Sequence, residues 1–117
     1  MKAPEARRGR FFDLPAAAGE EQFEALAARS GARVERIVSR GQASPPGYWY
    51  DQEEHEWVIV LRGRARLEIE GQPLLELEEG DWVDLPAHCR HRVDFTDPER
   101  ETVWLAFFWP VGEDRPT

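Results

Sequence analysis

The side chains that could do chemistry are concentrated in two short segments of the chain, residues 48–56 and 86–92. The first is rich in tyrosine, carboxylate and amide side chains and ends at His55 and Glu56, and the second contains the other two of the three histidines. Imidazole and carboxylate groups together can bind a divalent transition ion, or they can form a buried hydrogen-bonded pair. The two segments therefore predict a metal site or a polar pocket, provided that the fold brings them together.

Other catalytic signatures are absent from the sequence. There is no glycine-rich phosphate loop, no Gly-x-Ser-x-Gly segment and no Cys-x-x-Cys pair. Cys89 is the single cysteine, which excludes a disulfide framework and a four-cysteine zinc site. We expect Cys89 to be a small residue in a turn, without a role in chemistry.

Strand-like segments dominate the chain after residue 31, and they are the elements that must position these side chains. In the clearest, 65–70, apolar and charged residues alternate with a period of two, which is typical of a half-buried strand. The segments are 33–38, 56–61, 65–70, 74–77, 82–85, 91–95 and 102–109. About seven short strands at near-regular spacing, separated by turn residues, predict an all-β sandwich or barrel.

The N-terminal part of the chain predicts a different element. Phe23, Leu26 and Ala27 fall at helical spacing behind an acidic first turn, and Gly31 can end a helix. We therefore expect one short helix at about residues 20–30, packed on the barrel. The expected organisation is an arm and helix (1–31), a barrel (32–110) and a C-terminal tail (111–117).

Length and charge limit the class of protein. A chain of 117 residues is one domain. The formal net charge is −8, whereas a protein that binds nucleic acid needs a basic face, so we expect no nucleic-acid partner. No window approaches the apolar length of a membrane span, and no signal-peptide pattern is present. We therefore expect no membrane partner and a cytoplasmic location.

Two stretches, 48–63 and 80–91, resemble the two motifs of the cupin family, whose members are small jelly-roll barrels, also described as double-stranded β-helices. The family pattern has a Glu and a Gly separated by six residues in the first motif, and a Gly, Pro and His at fixed spacing in the second. The matching positions in this chain are Glu56 and Gly63, then Gly80, Pro86 and His91. The resemblance covers about residues 33–109 and implies a cupin-type barrel.

The resemblance also implies a metal site, although the histidine pair of the first motif is missing. With the shorter family spacing, those two positions hold Tyr50 and Gln52, so only Glu56 and His91 of the usual ligands are in place. With Gln52 as a third donor, Gln52, Glu56 and His91 would hold one divalent ion such as iron, manganese, nickel or zinc. The alternative is a barrel without metal, in which Glu56 and His91 share a hydrogen bond.

The loop that enters the barrel strand is the expected binding site for a small molecule. With the longer family spacing, the histidine positions fall on Trp49 and Asp51, which are not histidines either. Barrel mouths hold small-molecule sites, and this loop would line one. The expected ligand-binding residues are Trp49, Tyr50, Asp51, Gln52, Glu56 and His91.

The other two histidines have weaker claims to a role. Strand alternation places His55 on the face opposite Glu56, unless a bulge at this point turns it inward as an alternative ligand. His88 lies in a Pro-Ala-His-Cys turn, where we expect it to be exposed.

Two functions remain open on the sequence alone. The first is a barrel protein whose polar pocket binds a small molecule without catalysis, and the missing histidine pair favours it. The second is a metal-dependent cupin enzyme, of the dioxygenase or isomerase class, acting on a small organic acid or a sugar. The five tryptophans, together with Phe11 and Phe12, exceed what one small barrel readily buries, so we also expect a homodimer.

Overall fold

The computed structural model describes residues 3–112, which form eight strands in two antiparallel sheets. The strands are β1 (Gln22–Arg29), β2 (Ala32–Ser39), β3 (Glu54–Arg62), β4 (Ala65–Ile69), β5 (Leu75–Leu77), β6 (Trp82–Leu85), β7 (His91–Thr96) and β8 (Thr102–Pro110). One sheet has the order β1-β2-β8-β3-β6 and the other β5-β4-β7. The all-β prediction is confirmed. The expected C-terminal tail (111–117) falls outside the described residues from residue 113 onward.

The prediction of a helix at residues 20–30 is wrong, because this segment forms strand β1. In its pairing with β2, Ala25 lies opposite Glu35 but Ala27 lies opposite Val34, so Leu26 is an extra residue in a β-bulge. A bulge adds one residue to the two-residue repeat of a strand, and the apolar side chains then recur after three residues, as they do in a helix. Pairing with β2 therefore outweighs a local pattern that indicates a helix.

The glycine expected to end that helix instead turns a hairpin. Arg29 pairs with Ala32, which leaves Ser30 and Gly31 as a two-residue loop between β1 and β2. Their φ angles are 51° and 82°, and positive φ at both central residues is typical of a type I′ turn. This turn matches the twist of paired strands, so β1 folds back onto β2 as a hairpin. β1 is an edge strand of the larger sheet.

The core lies between the two sheets and is built by strand alternation. Val58 and Trp104 come from the larger sheet, Leu67 and Ile69 from the smaller one, and all four are buried in one apolar cluster. Burial of each such large side chain contributes about 1.5–3 kcal/mol to folding. The same alternation turns every second residue of β2 and β3 toward the interior, and this sets which side chains can form a site.

The N-terminal arm packs on the outer face of the larger sheet. Buried Arg36 of β2 donates hydrogen bonds to the carbonyl oxygens of Phe11 (2.8 Å) and Asp13 (3.2 Å) and forms an ion pair with Glu24. The guanidinium of Arg62 lies 4.3 Å from the centre of the Phe12 ring. These contacts hold both phenylalanines of the arm against the barrel.

The turn between β3 and β4 requires a glycine. Gly63 has φ +84°, and a Cβ atom there would lie 2.6 Å from the carbonyl oxygen of Glu101 and 2.8 Å from Cα of Thr102. The turn therefore fits closely against the start of β8 only without a side chain. No helix long and apolar enough to cross a membrane occurs in the described part of the chain.

Candidate functional site

A cavity of about 380 Å³ opens between the two sheets and is lined by residues from both. Its apolar walls include Val58, Leu67 and Phe108. The polar and charged residues that line it are Glu21, Arg33, Glu35, Tyr50, Gln52, Glu54, Glu56 and His91. Its size falls within the range of about 300–1,000 Å³ that is usual for small-molecule sites.

Glu56 and His91 meet in this cavity from opposite sheets. Glu56 lies on β3, where it pairs with Leu85, and His91 is the first residue of β7 in the smaller sheet. The Nε2 atom of His91 lies 3.6 Å from Oε1 of Glu56, and the two residues are only 6% and 7% exposed. The structure thus brings together two groups that can accept, donate or transfer a proton.

Backbone contacts fix the orientation of the His91 ring. Its Nδ1 atom lies 2.9 Å from the carbonyl oxygen of Cys89, and because a carbonyl only accepts, Nδ1 carries a proton and Nε2 faces Glu56. Burial lowers the pKa of His91, but its interactions with Glu56 and the Cys89 carbonyl oxygen favour the charged ring more strongly. The net effect is a pKa above the usual 6.5.

Tyr50 lies beside His91, and the alternation of its segment turns Gln52 toward the same cavity. The Tyr50 ring stacks on His91 with centres 5.4 Å apart, and the two backbones exchange hydrogen bonds of 2.7 and 3.1 Å. Burial raises the pKa of Tyr50, as do the charges of Glu21 and Glu56. The phenol therefore stays protonated near neutral pH and can donate a hydrogen bond. Gln52 also lines the cavity.

Three charged residues that the sequence analysis missed form a cluster at the open end of the cavity. Nη1 of Arg33 donates to both carboxylate oxygens of Glu54 at 2.7 and 2.6 Å, and its Nε donates to Glu35 at 2.6 Å. The guanidinium lies 4.1 Å from the centre of the Phe108 ring. The side chains of Arg33 and Glu54 remain 32% and 31% exposed, which places the cluster at the mouth.

The structure does not bring Trp49 and Asp51 into the cavity. They alternate with the inward-facing Tyr50 and Gln52 and do not belong to its lining. Asp51 lies 2.7 Å from Nδ1 of His88, which is exposed. The guanidinium of Arg90 lies 5.4 Å from the Trp49 ring.

His55 points to the outer face of the larger sheet, opposite Glu56. Its Nδ1 accepts a hydrogen bond of 3.0 Å from the backbone N–H of Ala87, and its ring centre lies 5.5 Å from that of Trp109. The cavity therefore contains one histidine of the three, His91.

The donor set in the cavity does not fit a transition metal. Within residues 3–112, no three or more His, Cys, Asp or Glu side chains form a group that could hold a metal ion. Glu56 and His91 supply two donors. The carboxylate of Glu54 is hydrogen-bonded to Arg33, and the amide oxygen of Gln52 would be a weak third ligand. Transition ions in proteins usually take three or four imidazole, thiolate or carboxylate ligands.

The comparisons with known proteins identify the family. The sequence model of the cupin domain family matches residues 35–108 of this chain. The chain therefore belongs to the cupin family, and its barrel is the cupin fold. A search of curated proteins gave no match.

Three solved structures illustrate the likeness. A protein of Ralstonia eutropha JMP134, described as a "putative mannose-6-phosphate isomerase", is 47% identical over 91% of this chain and 100% of its own, with a TM-score of 0.86. A Cupin 2 conserved barrel domain protein of Salinispora arenicola CNS-205 is 23% identical, covers 94% of this chain and 92% of its own, and has a TM-score of 0.65. A cupin superfamily protein of Desulfitobacterium hafniense DCB-2 is 16% identical over 84% of each chain, with a TM-score of 0.68. The last two show the fold alone.

Proposed function

We propose that this cupin binds a small sugar-like molecule in the cavity between its two sheets. The observation that carries the proposal is the buried pair of Glu56 and His91, whose facing atoms are 3.6 Å apart at the wall of a cavity of about 380 Å³. Burying two ionisable groups costs free energy unless they are paired, and pockets that combine apolar walls with a few polar groups are typical binding sites.

The cavity offers the contacts that a polyhydroxylated ligand needs. The Glu56 carboxylate accepts a hydrogen bond from a hydroxyl group, and the Tyr50 hydroxyl donates to a hydroxyl oxygen. Nε2 of His91 donates when the ring is charged and accepts when it is neutral. The apolar walls, which include Val58 and Phe108, suit the C–H faces of a sugar ring. The name given to the Ralstonia eutropha relative also belongs to sugar chemistry, which supports this class of ligand.

Isothermal titration calorimetry tests the proposal with four probes: D-mannose, D-fructose and their 6-phosphates. We expect at least one to bind, and Glu56→Gln or His91→Gln to weaken that binding about tenfold, since a hydrogen bond to a charged group contributes about 1.5–3 kcal/mol. Glu53→Gln, an exposed carboxylate of the same segment, is the matched control and should bind as the wild type does. No heat from any of the four would overturn the proposal.

A metal-dependent enzyme acting on an organic acid or a sugar is the second candidate, although the cavity supplies fewer donors than a transition metal usually takes. Its support is the orientation of His91, because a carbonyl contact at Nδ1 that directs Nε2 into the cavity toward Glu56 is common in histidines that bind metals. Elemental analysis of protein purified without added metal or a histidine tag decides between the two. One equivalent of iron, manganese, nickel or zinc, lost in Glu56→Ala and His91→Ala, would favour this candidate over the first.

We propose further that the chain is a homodimer that pairs through an outer aromatic cluster of Trp57, Trp82 and Phe107. The ring centre of Trp57 lies 5.7 Å from that of Trp82 and 5.8 Å from that of Phe107, on the outer face of the larger sheet. Trp82 is 58% exposed, and aromatic surface of this kind is typical of interfaces. The cytoplasmic location stays a prediction, which cell fractionation can test.

A further inference from the structure

Glu21 is a cavity residue that comes from outside the part of the chain matched by the cupin domain, residues 35–108. It immediately precedes β1, whose first residue, Gln22, pairs with Val38, so Glu21 lies beside Ser39. Glu21 and Phe23 both line the cavity, as the two-residue repeat of an extended chain requires. The N-terminal segment therefore supplies one wall of the site.

Buried hydrogen bonds fix the position of the Glu21 carboxyl group. Oε2 of Glu21 accepts a hydrogen bond from the hydroxyl of Ser39, and that hydroxyl oxygen accepts one of 3.1 Å from Nε1 of Trp104. Ser39 and Trp104 are 0% and 3% exposed. Oε1 of Glu21 makes no hydrogen bond to the described residues in this arrangement. One oxygen is thus anchored, and the other is available to a molecule in the cavity.

The charges around the cavity disfavour an anion. Four carboxyl groups line it, those of Glu21, Glu35, Glu54 and Glu56, against two groups that can carry positive charge, the guanidinium of Arg33 and the ring of His91. Arg33 already contacts two of the four at its Nε and Nη1 atoms. A phosphate group in the cavity would therefore meet more uncompensated negative charge than positive charge.

We infer that Glu21 binds a hydroxyl group of the ligand and makes the cavity select an uncharged sugar over its phosphate ester. This inference rests on the proposed sugar-binding function. The anchored carboxyl loses little side-chain freedom when it binds, which favours affinity. Burial raises the pKa of Glu21 despite the Ser39 hydrogen bond, in agreement with a carboxyl group held in the cavity wall.

The test compares Glu21→Gln with Glu24→Gln by calorimetry, with D-mannose and mannose-6-phosphate as probes. Glu24 is the matched control, since it belongs to the same segment but pairs with Arg36 on the outer face. We expect the wild type to bind D-mannose at least tenfold more tightly than its phosphate, and Glu21→Gln to lose about tenfold in affinity for D-mannose. Glu24→Gln should bind as the wild type does.

The outcomes separate this inference from the proposed function. If the wild type binds neither these two probes nor fructose and its phosphate, the proposed function fails. If it binds D-mannose but Glu21→Gln binds it equally well, or if the phosphate binds as tightly, the inference on Glu21 is overturned. If Glu21→Gln does not fold by circular dichroism, Ser39→Ala replaces it, because it removes the anchor and keeps the carboxyl group. A loss of affinity in Ser39→Ala supports the inference, and unchanged affinity overturns it.

Discussion

Nε2 of His91 faces Oε1 of Glu56 at 3.6 Å across the space between the two sheets, with both side chains almost completely buried. The separation is slightly longer than a hydrogen bond of normal length. A carboxylate and an imidazole at this distance still interact strongly, because little water screens them. The charge state of one therefore depends on the presence of the other.

Replacing Glu56 should change the titration of His91. Glu56→Gln keeps the packing but removes the negative charge that favours the charged His91 ring. Burial still favours the neutral ring, so the pKa of His91 should fall. Following the ring proton signals of His91 by NMR as the pH is varied measures the shift. Glu53→Gln should leave that titration unchanged. An equal pKa in Glu56→Gln and the wild type would contradict the coupling.

Removing either member of the pair should destabilise the barrel. Glu56→Ala or His91→Ala leaves the other group buried without its partner, and we expect a cost of about 1–3 kcal/mol in the free energy of unfolding. Urea unfolding of both variants and of the double variant measures the coupling. The double variant should cost less than the sum of the two single changes. Strict additivity would show that the two residues act independently.

Glu21 should make stability depend on pH. Burial raises its pKa in the folded state above the usual 4.5, with Ser39 opposing the shift. Its contribution to stability is therefore greatest below pH 4.5 and is lost as the pH rises through the folded-state pKa. Glu21→Gln has no group that titrates there, so its stability should not fall as the pH rises from 4.5 to the folded-state pKa of Glu21. Across that pH range the variant should therefore gain stability relative to the wild type. Urea unfolding across the interval tests this, and Glu24→Gln should show no such gain.

Gly63 should tolerate alanine less well than Gly71. Both have positive φ, +84° and +79°, so alanine is strained at either position by about 1–2 kcal/mol. At Gly71 the new Cβ has nothing within 4 Å, whereas at Gly63 it would lie 2.6 Å from a carbonyl oxygen. Gly63→Ala should therefore lower the melting temperature more than Gly71→Ala does. Equal melting temperatures would show that the turn can move away from β8.

The outer aromatic cluster can be tested by adding charge. If two copies pair through it, Trp82→Glu should shift the sedimenting mass from that of two chains to the 13.5 kDa of one. Leu74→Glu, another exposed apolar side chain, is the control and should remain a dimer. A wild-type mass near that of one chain at micromolar concentration would rule out the dimer.

The barrel could be predicted from sequence because its strands carry their own pattern. Residues 65–70 alternate in sequence, and the structure has β4 at Ala65–Ile69. The helix was predicted wrongly because the bulge at Leu26 gives a strand the spacing of a helix. Pairing with a neighbouring strand decided the outcome there, and local sequence does not record that pairing.

The same error concealed a residue of the site. Motif spacing singled out Glu56 and His91, and the structure places both at the cavity. Glu21 was assigned to the acidic first turn of the expected helix, where no role in a cavity would be sought. Arg33 and Glu54 were missed for a different reason. Their contact depends on β2 and β3 lying on either side of β8, and that order is a property of the topology.

The position of β1 at the edge of the sheet has a consequence for how such a protein can diverge. Within the described residues, β1 pairs with β2 alone, and the Ser30-Gly31 turn links the two strands. Substitutions in and beside β1 leave the pairing of β3 with β8 and of β4 with β7 in place, yet they alter the wall that Glu21 and Phe23 supply. Changes in ligand preference can therefore accumulate in one peripheral strand while the shared barrel is inherited intact.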